Sequence, residues 1–251
     1  MSVGFIWSLK VVNDNLIFAA TEKGLYKYNG TDWTLTTLSG MDVHSIAIGT
    51  TGSTTRIFAA TWGNGVYTST DFGATWLHSV DGCYNLLAMN TIEAVSAEKA
   101  YVTSFGGGVF VTINGGVSWS KVNLGYSFAL TVATSGNNVY VGTYGDGLYM
   151  SSNSGTNWNK VTTLSAPFIY SLVVDNSGFV YASSWTSGVS VSKDNGATWT
   201  SLGMGGFGVS SIFVNPSTQD VFVGTKEGEV FFSRSGGTTD VNENSLIPTE
   251  F

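Results

Sequence analysis

Four shortages mark this chain of 251 residues, and each excludes something. Charge is scarce. Asp, Glu, Lys and Arg make up 11% of the residues, only ten are basic, and the net charge is −7. A surface so short of Lys and Arg has little with which to neutralise phosphates, which disfavours nucleic acid as a partner. Cysteine occurs once, at Cys83, so no internal disulfide can form, and a lone Cys reads as a small buried hydrophobe. With three prolines, the turns must be made mainly by other residues. Long apolar runs are missing, and none approaches the ~20 residues that a membrane-spanning helix needs. The opening "MSVGFIWSLK" also lacks the basic flank and long apolar stretch of a signal peptide.

What is abundant points the other way. Apolar residues make up 43% and aromatics 14%, and there are 32 glycines. That mixture supplies a core and favours many short strands joined by tight turns. No window carries a helical period with caps at both ends.

An internal repeat organises the chain. "STDFGATW" at 69–76 returns as "SKDNGATW" at 192–199. Aligned on the final tryptophan, the copies end at Trp33, Trp76, Trp119, Trp158 and Trp199, separated by 43, 43, 39 and 41 residues. A sixth, "SRSGGTTD", carries Asp240 in place of the tryptophan. Each repeat has the same grammar: an apolar stretch such as "VHSIAIG", a second such as "RIFAAT", a Gly-bearing turn, and a third such as "GVYTST". The tryptophan motif and a weaker fourth stretch follow. Such runs, punctuated by Gly, Asn, Asp and Ser, read as four-stranded antiparallel meanders. Six at this period predict an all-β, six-bladed β-propeller over residues 1–237, with a tail or linker over 238–251. The sixth blade is expected to be incomplete, or loosely completed by residues 238–246, because "VNENSL" forms strands poorly.

The S-x-D-x-G-x-T-W pattern resembles the Asp-box, or bacterial neuraminidase repeat, and two copies match it at every fixed position. In each copy a polar residue can accept hydrogen bonds from its own turn: Asp71, Asn114, Asn153 and Asp194. The glycines Gly73, Gly116, Gly155 and Gly196 supply positive φ, and Trp76, Trp119, Trp158 and Trp199 fill the gap to a neighbouring blade. These residues read as structural, not as catalytic or metal-binding groups. The resemblance spans nearly the whole chain and covers sialidases, xyloglucan-degrading glycosidases, sortilin-type receptors and the photosystem II assembly factor, so it fixes architecture and leaves function open. Sialidases resemble one another in clamping a carboxylate with three arginines. This chain has Arg56 and Arg234 alone, so it is not expected to be a working sialidase. The tail "VNENSLIPTEF" at 241–251 resembles the linker before a type IX secretion sorting domain, which implies a secreted or surface-anchored protein.

Strand parity places the tryptophan turns on one face, with the turns between strands one and two. The other face carries the turns between strands two and three and the crossovers between blades. That second face is rich in rings. After strand two stand Glu22, Lys23, Trp62, Phe105, Tyr144, Trp185 and Lys226; at the start of strand one stand Trp7, His44, Asn90, Phe128, Tyr170 and Ser210. Two readings compete: the rings plug the fold between blades, or they form a platform for sugar rings. In the second reading Asp42, Asp146, Asn64, Asn90 and Glu22 accept hydrogen bonds from hydroxyls. A non-catalytic module that binds a glycan, or an extended peptide, on this face is the leading expectation.

A glycoside hydrolase is the alternative, with Asp42, Glu93 and Asp146 as the available carboxylates, though no signature pairs any two. A structural or protein-interaction scaffold is the third. His44 and His78 are expected on different faces, which disfavours a metal site, and nothing in the sequence asks for a cofactor. The protein is expected to be a monomer without a membrane span.

Overall fold

The computed structural model describes residues 4–79, 81–82 and 88–233, and every regular element among them is a strand. They form six antiparallel blades, and the fold is an all-β six-bladed propeller. Cys83 lies outside the described residues, as do the motif ending at Asp240 and the tail. The chain divides into two compact units, residues 1–129 and 130–251.

The first unit holds three blades. The first is β1 (Ile6–Asn13), β2 (Leu16–Thr21), β3 (Gly24–Tyr28) and β4 (Trp33–Leu35). The second is β5 (Asp42–Thr51), β6 (Thr54–Trp62), β7 (Gly65–Ser69) and β8 (Leu77–Ser79). The third is β9 (Met89–Ala94), β10 (Ala100–Ser104), β11 (Gly108–Thr112) and β12 (Ser120–Val122). The second unit continues with β13 (Ala129–Ser135), β14 (Asn138–Thr143), β15 (Leu148–Ser151) and β16 (Asn159–Val161). Its next blade is β17 (Ile169–Val174), β18 (Val180–Ser184), β19 (Gly188–Ser192) and β20 (Thr200–Gly203). Its last, β21 (Val209–Val214), β22 (Val221–Thr225) and β23 (Val230–Ser233), has three strands among the described residues.

The middle blade of a unit has a second strand that is apolar on both faces, because a sheet covers it on either side. In β6, Ile57 and Ala59 join Val43 and Ile46 against Phe18, Ala20 and Leu25 of the preceding blade. The alternate residues Phe58 and Ala60 face the next blade, where Met89, Ile92 and Trp119 meet them. The second unit repeats the scheme, with Tyr140 and Leu148 against Ile169, Leu172 and Ala182. Fourth strands are largely exposed, as in β4 and β8.

The tryptophan turns join neighbouring blades. In the second blade the Ser69 hydroxyl donates to Asp71 Oδ1 at 2.7 Å and accepts the Gly73 N–H at 2.8 Å. Asp71 also accepts the Thr75 N–H at 2.9 Å and its hydroxyl at 2.5 Å. Thr112–Asn114, Ser151–Asn153 and Ser192–Asp194 repeat the core of this lattice. Phe72 and Gly73 both have positive φ, 54° and 80°. A Cβ on Gly73 would lie 2.9 Å from a Phe18 ring carbon in the previous blade, so this glycine is required by close approach as well as by conformation.

Trp119 is 3% exposed, meets Phe58 edge-on at 6.5 Å, and donates its indole N–H to Ser79 Oγ at 2.9 Å. Trp33 differs: it is 47% exposed, because no described blade precedes its own within the first unit. The first turn also uses different chemistry, with Asn29 Oδ1 accepting the N–H groups of Thr31 and Asp32.

The parity of the turns is as the sequence predicts. Gly115 in the third blade's tryptophan turn donates its N–H to the Glu98 carbonyl between β9 and β10, and Ser154 does the same to Asn137 between β13 and β14.

Two predictions follow from this packing. Phe58→Ala, which empties a fully buried site at a blade junction, is expected to cost about 3–5 kcal/mol in urea denaturation. The hydroxyl and N–H of Thr75, together with the Ser69 hydroxyl, lower the Asp71 carboxyl to about 2. Its contribution is therefore complete above the ordinary carboxylate range near ~4 and is lost as pH falls towards about 2. Asp71→Asn keeps an acceptor that cannot titrate, as Asn114 and Asn153 already do. It should flatten the fall in melting temperature between about pH 5 and about pH 2, and an unchanged acid profile would contradict this account.

Candidate ligand-binding site

The face opposite the tryptophan turns is built by one recurring contact. After the fourth strand the chain crosses over the turn between strands two and three and bonds to it. Gly40 N–H meets the Lys23 carbonyl at 3.0 Å and Gly106 N–H meets Ser127 at 3.0 Å. In the second unit Gly145 N–H reaches Pro167 at 3.0 Å and Gly206 N–H reaches Thr186 at 3.2 Å. The crossovers thereby bring the residue preceding a first strand onto a residue at, or just after, the end of a second strand, as in the bridges Trp62–Ala88, Phe105–Phe128 and Tyr144–Phe168.

A second device aims side chains at the same end. The first strands of five blades carry an extra residue against their partners, opposite Thr21/Ala20, Thr61/Ala60, Ser104/Val102, Ser184/Ser183 and Thr225/Gly224. In four of these the inserted residue is Trp7, His44, Tyr170 or Ser210; in the fifth it falls at Asn90–Thr91. A bulge breaks the alternation of the strand and re-aims a side chain. The sequence-derived set at the start of strand one is thus largely the bulge position. Phe128 is the exception: it lies one residue before β13, in the crossover, and belongs with Phe5 and Phe168, each one residue before its own strand.

In the first unit these devices build a column of four rings. Phe5 stacks on Trp7 at 5.4 Å, Trp7 on His44 at 4.7 Å, and His44 on Trp62 at 5.0 Å. Asp42 holds the middle of the column. Its Oδ1 accepts the Trp7 indole N–H at 2.8 Å, and its Oδ2 lies 3.3 Å from His44 Nε2. The inner faces of the column are spent on one another. The two end rings keep an outer side, with Trp62 44% and Phe5 67% exposed. Beside it, the Asn64 carbonyl accepts from His78 Nε2 at 2.7 Å. That contact corrects the expectation for the second histidine: His78 lies in β8, but its ring reaches the aromatic face. Phe105 and Phe128 form a separate edge-on pair at 5.0 Å, both exposed, and Asn90 donates to the Ala129 carbonyl at 3.1 Å.

The second unit builds its own row. Phe168 meets Tyr144 edge-on at 5.0 Å, Tyr144 meets Tyr170 at 6.5 Å, and Tyr170 meets Trp185 at 5.2 Å. The Lys226 ammonium lies 4.8 Å from the centre of the Trp185 ring. Trp185 is therefore half-buried between Tyr170 and Lys226, whereas Tyr144 remains 44% exposed. Burial pushes the Tyr170 hydroxyl above its usual range, with a further contribution from Tyr144.

The carboxylates proposed for chemistry hold other side chains. Asp146 accepts from Lys160 and from the Tyr149 hydroxyl, and these bonds hold its carboxyl below the usual range. Glu93 sits within β9, at the position Lys10 takes in β1. Among the described residues no group of three or more His, Cys, Asp or Glu side chains is placed to hold a metal ion. Phe5 and Phe168 are the ring residues that the sequence reading missed. The available signal was their shared place just before an apolar first strand.

No protein-family model matches the chain, and no curated protein matches it in sequence. Solved structures do match in fold. YCF48 bound to D1 peptide is 16% identical with a TM-score of 0.69, over 94% of this chain and 81% of that one. An ancestral GH74 enzyme is 19% identical with a TM-score of 0.71, over 91% of this chain and 36% of its own. The extracellular domain of a hybrid two-component system from B. thetaiotaomicron is 18% identical with a TM-score of 0.68, over 91% of this chain and 32% of its own. The chain spans about a third of the length of the last two. All three likenesses are of fold.

Removing the carboxylate that holds the column tests this geometry. Asp42→Ala frees the Trp7 indole and the His44 ring and is expected to weaken the near-ultraviolet circular dichroism of the tryptophans, with a loss of about 1 kcal/mol in urea denaturation. Unchanged spectra would mean that Asp42 does not position the rings.

Proposed function

We propose that this chain is a non-catalytic binding module of the Asp-box propeller type, and that it takes a glycan on the aromatic face. The observation that carries the reading is the open outer face of Trp62, backed by His44, Trp7 and Phe5 and steadied by Asp42. A ring fixed in advance loses little freedom when a flat ligand settles on it, and pyranose C–H faces suit an indole plane. Asn64 and the free lone pairs of Asp42 can accept hydrogen bonds from sugar hydroxyls. The Phe105–Phe128 pair of the same unit offers further exposed rings.

Binding is favoured over hydrolysis because Asp42 and Asp146 already serve as anchors for neighbouring side chains. An extended peptide is the second reading, supported by the fold neighbour YCF48 bound to D1 peptide. The likeness to extracellular domains and the resemblance of the tail to a type IX sorting linker support placement outside the cell, either secreted or at the cell surface.

The test is tryptophan fluorescence during titration with a panel of soluble polysaccharides and unstructured peptides. A glycan is expected to give a saturable change, with Trp62→Ala weakening the affinity at least ~10-fold, or about 1.4 kcal/mol. Trp185→Ala should matter much less, because Tyr170 and Lys226 already lie against that ring. Peptide binding alone would favour the second reading. Equal binding by Trp62→Ala and parent would remove the platform from the account.

A further inference from the structure

We infer that His44 is a proton-sensitive element at the centre of the first unit's ring column, and that charging it fixes Trp62 for the ligand. The clause about the ligand rests on the binding reading above; the clause about the column does not. The imidazole lies between two indoles, 4.7 Å from Trp7 with planes inclined at 32° and 5.0 Å from Trp62 with planes inclined at 27°. Its Nε2 is 3.3 Å from one oxygen of Asp42, and the other oxygen of the same carboxylate holds the Trp7 indole N–H. The His44 side chain is 17% exposed, so a charge placed there is weakly screened.

The two protonation states differ in what they give the column. Neutral imidazole is a ring stacked between rings. Imidazolium adds a cation against two indole faces and an ion pair with Asp42. Trp7 has Phe5 and the Asp42 bond to hold it as well, whereas Trp62 has His44 as its ring partner within the column. Protonation therefore tightens the contact that orients the open ring. The effect of pH is directional: the column is firmest in mild acid and loosens as the charge is lost.

The elements packed around His44 carry other charged groups, among them Lys27 on β3 and Glu93 on β9. Asp42 lies on its own strand, and Glu22, at the end of β2, accepts the Phe5 N–H at 3.4 Å. Lys10 lies further along β1, and Arg56 of β6 donates to the Ala97 carbonyl in the turn at the opposite end. β1 and β6 present Trp7 and Trp62 to the ring. Histidine changes charge between about pH 5 and 8. The Asp71 carboxyl of the tryptophan turn in the same unit is lowered to about 2, below the pH range of the experiment. His78 is a built-in comparison: it stacks on Tyr67 at 4.5 Å and bonds to the Asn64 carbonyl, away from the column's core.

The experiment is ligand-free tryptophan fluorescence of the full chain from about pH 8 to about pH 5, repeated with the glycan that responds in the panel. The parent should show a single-proton transition. His44→Phe, which keeps a stacked ring without a proton, should abolish it, and His44→Gln should do the same. His78→Gln should retain it. With glycan, the parent should bind at least ~3-fold more tightly at the acid end, and His44→Phe should bind equally at both. A transition that survives in His44→Phe, or none in the parent, overturns the inference. A parent that binds glycan equally at both pH values overturns its ligand clause. Failure of any glycan to bind sinks the binding reading and the ligand clause with it, while the ligand-free transition still decides the status of His44.

Discussion

The fold depends on sheets packing face to face through their first and second strands. A strand such as β6, with Ile57 and Ala59 on one side and Phe58 and Ala60 on the other, is stable only between two apolar surfaces, so each blade needs its neighbours. Repetition of the tryptophan motif follows from that need. Each junction must be sealed again, and the Ser–Asp–Thr lattice with its glycine places a turn of one blade against a phenylalanine or tyrosine of the blade before it. The same packing leaves the turns and crossovers at the opposite face free to differ, and there the repeats do differ, from Glu22 through Trp62 and Tyr144 to Lys226.

Much of this could be read from the residues in order. The forty-residue period, the three strong strands per repeat and the weaker fourth all depend on local pattern: β-branched and aromatic runs bounded by Gly, Asn and Asp. The sorting of turns into two faces needs only the alternation of an antiparallel meander. The weak sixth repeat was also visible, in the missing tryptophan and the polar residues after it. What could not be read was contact between side chains far apart in the chain. Trp7 and Asp42 are 35 residues apart, and nothing in either neighbourhood announces that one carboxylate holds both an indole and an imidazole. Trp185 looks as available as Trp62 in sequence, yet Lys226 in the next blade covers it. His78 sits mid-strand, where parity says nothing about the reach of its ring.

The carboxylates illustrate how structure redistributes roles. Asp42 and Asp146 are two of the three carboxylates, with Glu93, from which hydrolytic chemistry would have to be made. Each instead steadies its surroundings, Asp42 through Trp7 and His44, Asp146 through Lys160 and Tyr149. Because likeness to GH74 enzymes and to YCF48 is confined to fold, the function has to be argued from the face itself. That face offers pre-stacked rings with hydrogen-bond acceptors at their edges.

The most direct test is the nuclear magnetic resonance of the eight tryptophan indole N–H groups as a soluble glycan is added. The Trp62 signal is expected to move first and furthest, Trp7 to follow through the shared stack, and Trp76, Trp119 and Trp199 to stay where they are. Movement confined to those turn tryptophans, or a Trp62 signal indifferent to every glycan while the protein remains folded, would contradict the binding reading.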